Sequence, residues 1–281
     1  MALERNMAQL QAYRQQTSED QQKLKDRMGK IKHKIAIISG KGGVGKSTVT
    51  VNLAAAFAQM GKKVGVLDAD IHGPSVPRLL GLEGQQVKTG PPGAFPVEGP
   101  LGIKVMSIDF FLPEEAPTIW RGPLKMRAIR QFLVDIVWGD LDFLFIDLPP
   151  GTGDEPLSIA QLLPEMDGVV IVTMPTQLSS SVVKKAITFA EKMNMPIIGV
   201  VENMSGFVCP HCGQKTEIFQ SGGGKKMAQE AGVSFLGSIP IDPKVGVDSD
   251  KGHPFVIEHK DSAAAKAFMD IVAKINAQLK K

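Results

Sequence analysis

Cysteine is almost missing from this chain: Cys209 and Cys212 are the only two in 281 residues. A disulfide framework of the kind that staples small secreted domains is therefore excluded. Long apolar runs are missing too, and none approaches the roughly 20 residues that a membrane-crossing helix needs. Charge of one sign is lacking, with 32 basic against 29 acidic residues and a net charge of +3. That balance alone points neither to nucleic acid nor to a membrane as partner. The amino terminus is polar and charged where a signal peptide would be apolar. No internal repeat is visible. The expectation is a cytoplasmic protein with no membrane span and no nucleic-acid partner. In that setting two cysteines at Cys-x-x-Cys spacing suit metal binding or redox chemistry better than a structural disulfide.

What the chain does have is enough apolar material for a sizeable core, 43% of its residues. Residues 1–33 are rich in Gln, Lys, Arg and Glu and carry weak helical spacing at Leu3, Met7, Leu10, Leu24 and Met28. They are expected to form a helical extension. From Lys34 the pattern becomes one of apolar runs alternating with helical stretches. The runs are Ile35–Ile38, Val64–Leu67, Ile103–Ile108, Phe143–Ile146, Val169–Val172, Ile197–Val201 and Phe235–Ile239. Helical stretches fall at Lys46–Met60, Leu124–Val137, Ser179–Met193, Gly224–Ala231 and Ser262–Leu279. Such alternation predicts an α/β fold, a mostly parallel sheet with helices on both faces, over residues 34–281. The Gly- and Pro-rich segment Gly84–Gly102 reads as a long loop, and 205–224 as an inserted loop that carries the cysteines.

The most informative segment is Gly40-Lys41-Gly42-Gly43-Val44-Gly45-Lys46-Ser47-Thr48. A strand precedes it and a helix follows, the context that a phosphate-binding loop requires. Glycines at 40, 42, 43 and 45 let backbone N–H groups turn toward phosphate oxygens, and the helix adds its positive amino-terminal end. Lys46 is placed to reach the β- and γ-phosphates of ATP, and Ser47 to ligate Mg²⁺. Phe143-Leu144-Phe145-Ile146-Asp147 is an apolar strand ending in an acid, so Asp147 is expected to hold Mg²⁺, through water. Leu67-Asp68-Ala69-Asp70 ends another strand on the ligand-binding edge of the sheet.

The second lysine, Lys41, is not needed by an ordinary phosphate-binding loop. With it the loop resembles the deviant Walker A motif of ATPases related to MinD, ParA and the nitrogenase iron protein. That resemblance implies a nucleotide-sandwich homodimer in which Lys41 crosses to the partner's nucleotide. It also implies that Asp70 positions the attacking water, while Asp68 is a structural or Mg²⁺-side neighbour. The asparagine of Val201-Glu202-Asn203-Met204 would meet the adenine edge. The alternative for Asn203 is a turn cap. Pro240-Ile241-Asp242-Pro243 resembles the second adenine-side segment, which adds Ile241 and Asp242. Lys41, Lys46 and Asp70 are then the catalytic set.

Cys209-Pro210-His211-Cys212-Gly213 supplies one edge of a four-sulfur site for a metal or cluster. One chain offers two thiolates, and a two-fold dimer would offer four. A zinc site, a reactive thiol pair and a redox disulfide suit the same spacing. His211 is not needed once four thiolates are present. Ser221-Gly222-Gly223-Gly224 either permits close backbone approach near the cysteines or begins the next helix.

Cys-x-x-Cys, Asp68-Ala69-Asp70-Ile71-His72-Gly73-Pro74-Ser75, Asp147-Leu148-Pro149-Pro150-Gly151-Thr152-Gly153-Asp154 and Asn203-Met204-Ser205 together resemble the Mrp/ApbC iron–sulfur cluster carriers, over about Lys34 to Asp261. The resemblance implies an ATPase that holds a [4Fe–4S] cluster between two subunits, through Cys209 and Cys212, and passes it to apo iron–sulfur proteins. Residues 1–33 show no cysteine motif like that of the eukaryotic cytosolic relatives and look short for the extra domain of some bacterial ones, so neither a second cluster nor that domain's partners is expected. Two other functions compete. One is a spatial-organising ATPase like MinD or ParA, using 263–281 as a membrane-binding amphipathic tail. The other is an ATP-gated reductase resembling the nitrogenase iron protein.

Overall fold

The structure, a computed structural model, describes residues 18–112, 122–176, 179–209, 212, 214–219 and 221–280. The polar segment that opens it is helical over 18–28 (α1). Its Met28 is buried in the core and Leu24 packs against it. The remainder of the N-terminal extension, 1–17, lies outside the described residues.

The strands and helices then alternate: β1 (Ile31–Ile38), α2 (Lys46–Gln59), β2 (Val64–Asp68) and the short α3 (Val76–Leu79). There follow β3 (Lys88–Gly90), β4 (Gly93–Phe95), β5 (Val97–Glu98), β6 (Lys104–Met106), α4 (Gly122–Val134), β7 (Leu141–Asp147) and α5 (Asp154–Leu162). Next come β8 (Gly168–Thr173), α6 (Ser179–Lys192), β9 (Ile197–Glu202), β10 (Phe207–Val208), β11 (Lys215–Thr216), α7 (Gly223–Glu230) and β12 (Phe235–Ser238). The chain closes with α8 (Pro243–Asp250), α9 (Phe255–Glu258) and α10 (Ala263–Leu279).

Eight strands form one sheet in the order β12-β9-β8-β1-β7-β2-β6-β5, and every neighbouring pair is parallel except β5 with β6. The central strands are buried on both faces: each of the six residues of β8 is buried. That is why their sequences are unbroken apolar runs rather than alternating ones. Phe57 of α2 stacks obliquely on Phe143 and Phe145 of β7, with ring centroids 4.2 Å and 5.5 Å apart. α10 buries Phe268, Ile271, Val272 and Ile275 and lies on β12 and α2.

Four details differ from the sequence reading. β1 begins at Ile31, because Ile31 pairs with Leu141 of β7. The sixth strand stops at Met106, since Ser107 leaves the ladder to accept a hydrogen bond from Asp109 N–H and start a 3₁₀ turn at Ile108–Phe111. Within the Gly84–Gly102 loop a hairpin, β3–β4, and the antiparallel edge strand β5 form. α5 was unforeseen: its Pro156 sits in the first turn, where a missing N–H breaks no helical bond.

Candidate functional site

Register builds the site. Asp68 closes β2 and Asp147 closes β7, and the two are direct partners in the ladder. Ile37 of β1 is partnered with Asp147 on the other side. All three strands therefore end together, and the loop from β1 to α2 rises over two buried carboxylates. Ligands of open parallel sheets bind at this edge.

The glycine requirement of the loop is visible at two positions. Gly43 and Gly45 both have φ +77°, in the left-handed region that favours glycine. A Cβ on Gly45 would lie 2.4 Å from Asn203 Nδ2. Asn203, 8% exposed, donates from that nitrogen to Val44 O at 2.9 Å. It thus holds the phosphate-binding loop itself, a contact that neither an adenine role nor a turn cap anticipates.

Lys46 is 6% exposed and pairs with Asp147, which is fully buried, at 2.7 Å. Ser47 Oγ donates to Asp147 Oδ2 at 2.5 Å, and Thr50 Oγ1 to Oδ1 at 2.7 Å. Thr50 was missed by the sequence reading, although a hydroxyl one helical turn beyond Lys46 carries the signal. Ser47 and Asp147, the expected Mg²⁺ residues, are brought together, and their hard oxygen donors fit that ion.

Asp68 accepts from Ser75 N–H at 3.0 Å, Val76 N–H at 3.1 Å, Asp70 N–H at 3.2 Å and Ser107 Oγ at 3.4 Å. Burial first, and then the charge of Asp147, push its carboxyl up to about 8. The donors from Ser75 and Val76 tie the Asp70–Ser75 loop to Asp68. Asp70 is half-buried, accepts from Gly73 N–H at 3.2 Å, and is raised from its ordinary range, chiefly by burial. Beside it lies a pair the sequence reading passed over: Lys125 of α4 and Glu155 of α5, 2.5 Å apart and 12% and 6% exposed. The Glu155 charge also raises Asp70.

Lys41 is partly exposed on the loop, and its carbonyl accepts from Ser39 Oγ at 3.0 Å. Ile241 is tied to the cysteine insertion: its N–H donates to Gly206 O at 2.8 Å. Asp242 caps α8, accepting from Lys244 N–H at 3.0 Å. The cysteines lie between the two strands of the β10–β11 hairpin. Cys209 is half-buried, with its N–H on Gln214 O at 3.0 Å, and Cys212 is exposed. Pro210, His211 and Gly213 lie outside the described residues. Among the described residues no group of three or more His, Cys, Asp or Glu is arranged to hold a metal ion.

A parallel sheet, a glycine loop running into a helix, and a buried lysine and aspartate with a half-buried serine at its foot define a P-loop nucleotide-binding protein. The chain belongs to the ParA family described as NUBPL iron-transfer P-loop NTPases, whose profile matches residues 30–276. It is 58% identical over 254 residues to the iron-sulfur cluster carrier protein of Methanocaldococcus jannaschii, covering 90% of this chain and 87% of that one. It is 47% identical to a cytosolic Fe-S cluster assembly factor NUBP2 homolog of Dictyostelium discoideum, covering 86% and 95%. A solved nucleotide-binding protein from Archaeoglobus fulgidus, in complex with ADP and with cobalt found in it, superposes with a TM-score of 0.75 at 47% identity. It covers 83% of this chain and 92% of that one. The MinC:MinD complex of Aquifex aeolicus shares the fold at 23% identity, with a TM-score of 0.64, covering 87% and 96%.

Proposed function

We propose that this protein is a homodimeric ATPase that receives a [4Fe–4S] cluster on Cys209 and Cys212 of both chains and delivers it to apo iron–sulfur proteins in the cytoplasm. The observation that carries the reading is the half-site. Two thiols three positions apart lie between the two strands of a small hairpin, one half-buried and one exposed. Two thiols leave a four-thiolate cargo half satisfied, and a second copy on a two-fold axis supplies the rest. The names of the Methanocaldococcus and Dictyostelium relatives support the cargo, and the ADP of the Archaeoglobus relative supports the nucleotide.

The chemistry follows from the buried ion pair. Lys46 exchanges Asp147 for the β- and γ-phosphates of ATP, and the loop from Gly40 to Thr48 surrounds them with N–H groups. Ser47 and Asp147 would hold Mg²⁺, which when bound neutralises phosphate charge. Asp70 orients the attacking water, and Lys41 reaches the partner's nucleotide. Asn203, Ile241 and Asp242 lie on the adenine side. Hydrolysis is coupled to loading or release of the cluster.

The reading of a membrane-binding tail is disfavoured by α10, whose apolar face is buried on the sheet. Among the described residues no helix is long and apolar enough to cross a membrane. A cluster-transfer assay run beside an electron-transfer assay separates the carrier from a reductase. The nucleotide half is tested by Lys46→Ala, which removes the cation facing the phosphates: ATP turnover is expected to fall sharply. Turnover near wild type would overturn the assignment.

A further inference from the structure

β9 is an apolar strand that ends in a carboxylate with 0% exposure, Glu202. A buried carboxyl group is costly unless hydrogen bonds satisfy it. Its partners are neutral donors drawn from separate parts of the chain. Ser205 Oγ donates to Oε1, as do Gly222 N–H at 3.1 Å and Ser238 Oγ at 3.3 Å, while Gly224 N–H donates to Oε2 at 2.5 Å. Ser205 opens the insertion that carries the cysteines, and Gly222 and Gly224 close it. One carboxyl group therefore clamps both ends of that insertion.

The glycines are there for this closure. Gly222 has φ +79°. A Cβ on Gly223 would lie 2.5 Å from Pro175 O, and one on Gly224 would lie 2.9 Å from Glu202 Cβ. The triplet thus begins α7 and also lets the chain close directly onto the carboxyl.

The residue after Glu202 faces the other way. Asn203 donates to Val44 O of the phosphate-binding loop at 2.9 Å, and its own N–H donates to Thr173 O at 2.7 Å. Met204, left-handed at φ 57°, then turns the chain so that Ser205 comes back onto Glu202. A single peptide unit joins the residue that holds the phosphate loop to the residue that holds the cysteine insertion.

We propose that Glu202 is a positioning residue that yokes the cysteine hairpin to the phosphate-binding loop, so that nucleotide occupancy resets the placement of Cys209 and Cys212. The proposal rests on the carrier reading above. When Lys46 turns to phosphates, the loop that includes Val44 rearranges around them. Asn203 passes the displacement to Glu202, which delivers it to both ends of the insertion together.

The test uses the full chain, reduced and metal-free. Iodoacetamide alkylation rates of Cys209 and Cys212 are followed by mass spectrometry with and without Mg·ADP, in wild type, Glu202→Gln and Ser205→Ala. ADP affinity is measured alongside by calorimetry. In wild type ADP is expected to change the alkylation rate by about fivefold or more, the lower end of ordinary coupling between sites. Glu202→Gln should bring the ratio close to one while ADP affinity stays within about threefold, because its amide cannot accept on both sides of the clamp. Ser205→Ala removes a single donor and should give an intermediate ratio; it carries the test alone if Glu202→Gln does not fold. Variants that respond as wild type does overturn the proposal, and so do wild-type thiols that ignore ADP in a protein that binds ADP and iron. A wild type that binds no ADP overturns the functional reading together with it.

Discussion

Asp147→Asn probes the polar core of the nucleotide site. The carboxylate is fully buried and meets Lys46 Nζ at 2.7 Å, Ser47 Oγ at 2.5 Å and Thr50 Oγ1 at 2.7 Å. Asparagine keeps the shape and one oxygen but leaves Lys46, only 6% exposed, without its counter-charge. Removing one partner of a buried ion pair costs about 3–5 kcal/mol. Two features pull the cost to the lower end. The amide oxygen of the replacement can still accept from Thr50, and loss of the charge relieves Asp68, which Asp147 pushes up. At about 3 kcal/mol, and about 2–4 °C per kcal/mol for a chain of this size, Tm should fall by about 6–12 °C. The assay is thermal unfolding followed by circular dichroism in buffer free of nucleotide and Mg²⁺. ADP added without Mg²⁺ gives Lys46 a new counter-charge. It should therefore raise Tm more in the variant than in wild type, where Lys46 must first leave Asp147. A nucleotide-free Tm within about 2 °C of wild type, or a smaller ADP shift in the variant, would refute the ion-pair exchange.

Asp70→Ala should keep ATP bound but hydrolyse it about a hundredfold more slowly, since water positioning is lost while phosphate contacts remain. Quench and chromatography of the bound nucleotide would recover ATP; loss of binding would contradict the role given to Asp70. Asp68 supplies a pH prediction. A carboxyl raised in the folded state contributes stability that is fully present at pH values below the ordinary carboxylate range and is lost as pH climbs through its raised value. Nucleotide-free wild type should therefore lose stability between about pH 5 and pH 8, and Asp68→Asn should flatten that slope in denaturant titrations.

The phosphate-binding loop was legible because its determinants are local: a strand, four glycines, Lys46 and Ser47 within one stretch. The central strands were legible because burial on both faces leaves unbroken apolar runs. What escaped depends on register and on contacts between distant residues. Nothing in Leu67-Asp68 or Ile146-Asp147 says that the two aspartates are ladder partners, and that pairing adds the charge of Asp147 to the burial that raises Asp68. Glu202 reads as an ordinary end to an apolar strand, yet its donors lie 3, 20, 22 and 36 residues away. Asn203 was singled out in sequence, but its hold on Val44 needs the fold to be seen. α5 was hidden by Asp154-Glu155-Pro156 following a Pro- and Gly-rich loop, and with it went the Lys125–Glu155 pair.

The central claim, that two copies of this chain hold one cluster between them, is tested most directly by iron and acid-labile sulfide analysis after anaerobic reconstitution. The measurement is made on wild type, Cys209→Ala and Cys212→Ala. Wild type should bind about two irons and about two sulfides per chain, one [4Fe–4S] cluster per dimer. Either single variant leaves a dimer with half its thiolates and should hold no stable cluster, while ATP binding survives. One zinc per dimer with no iron uptake would contradict the carrier reading. A full cluster on a single-cysteine variant would contradict the sharing of the cluster between two chains.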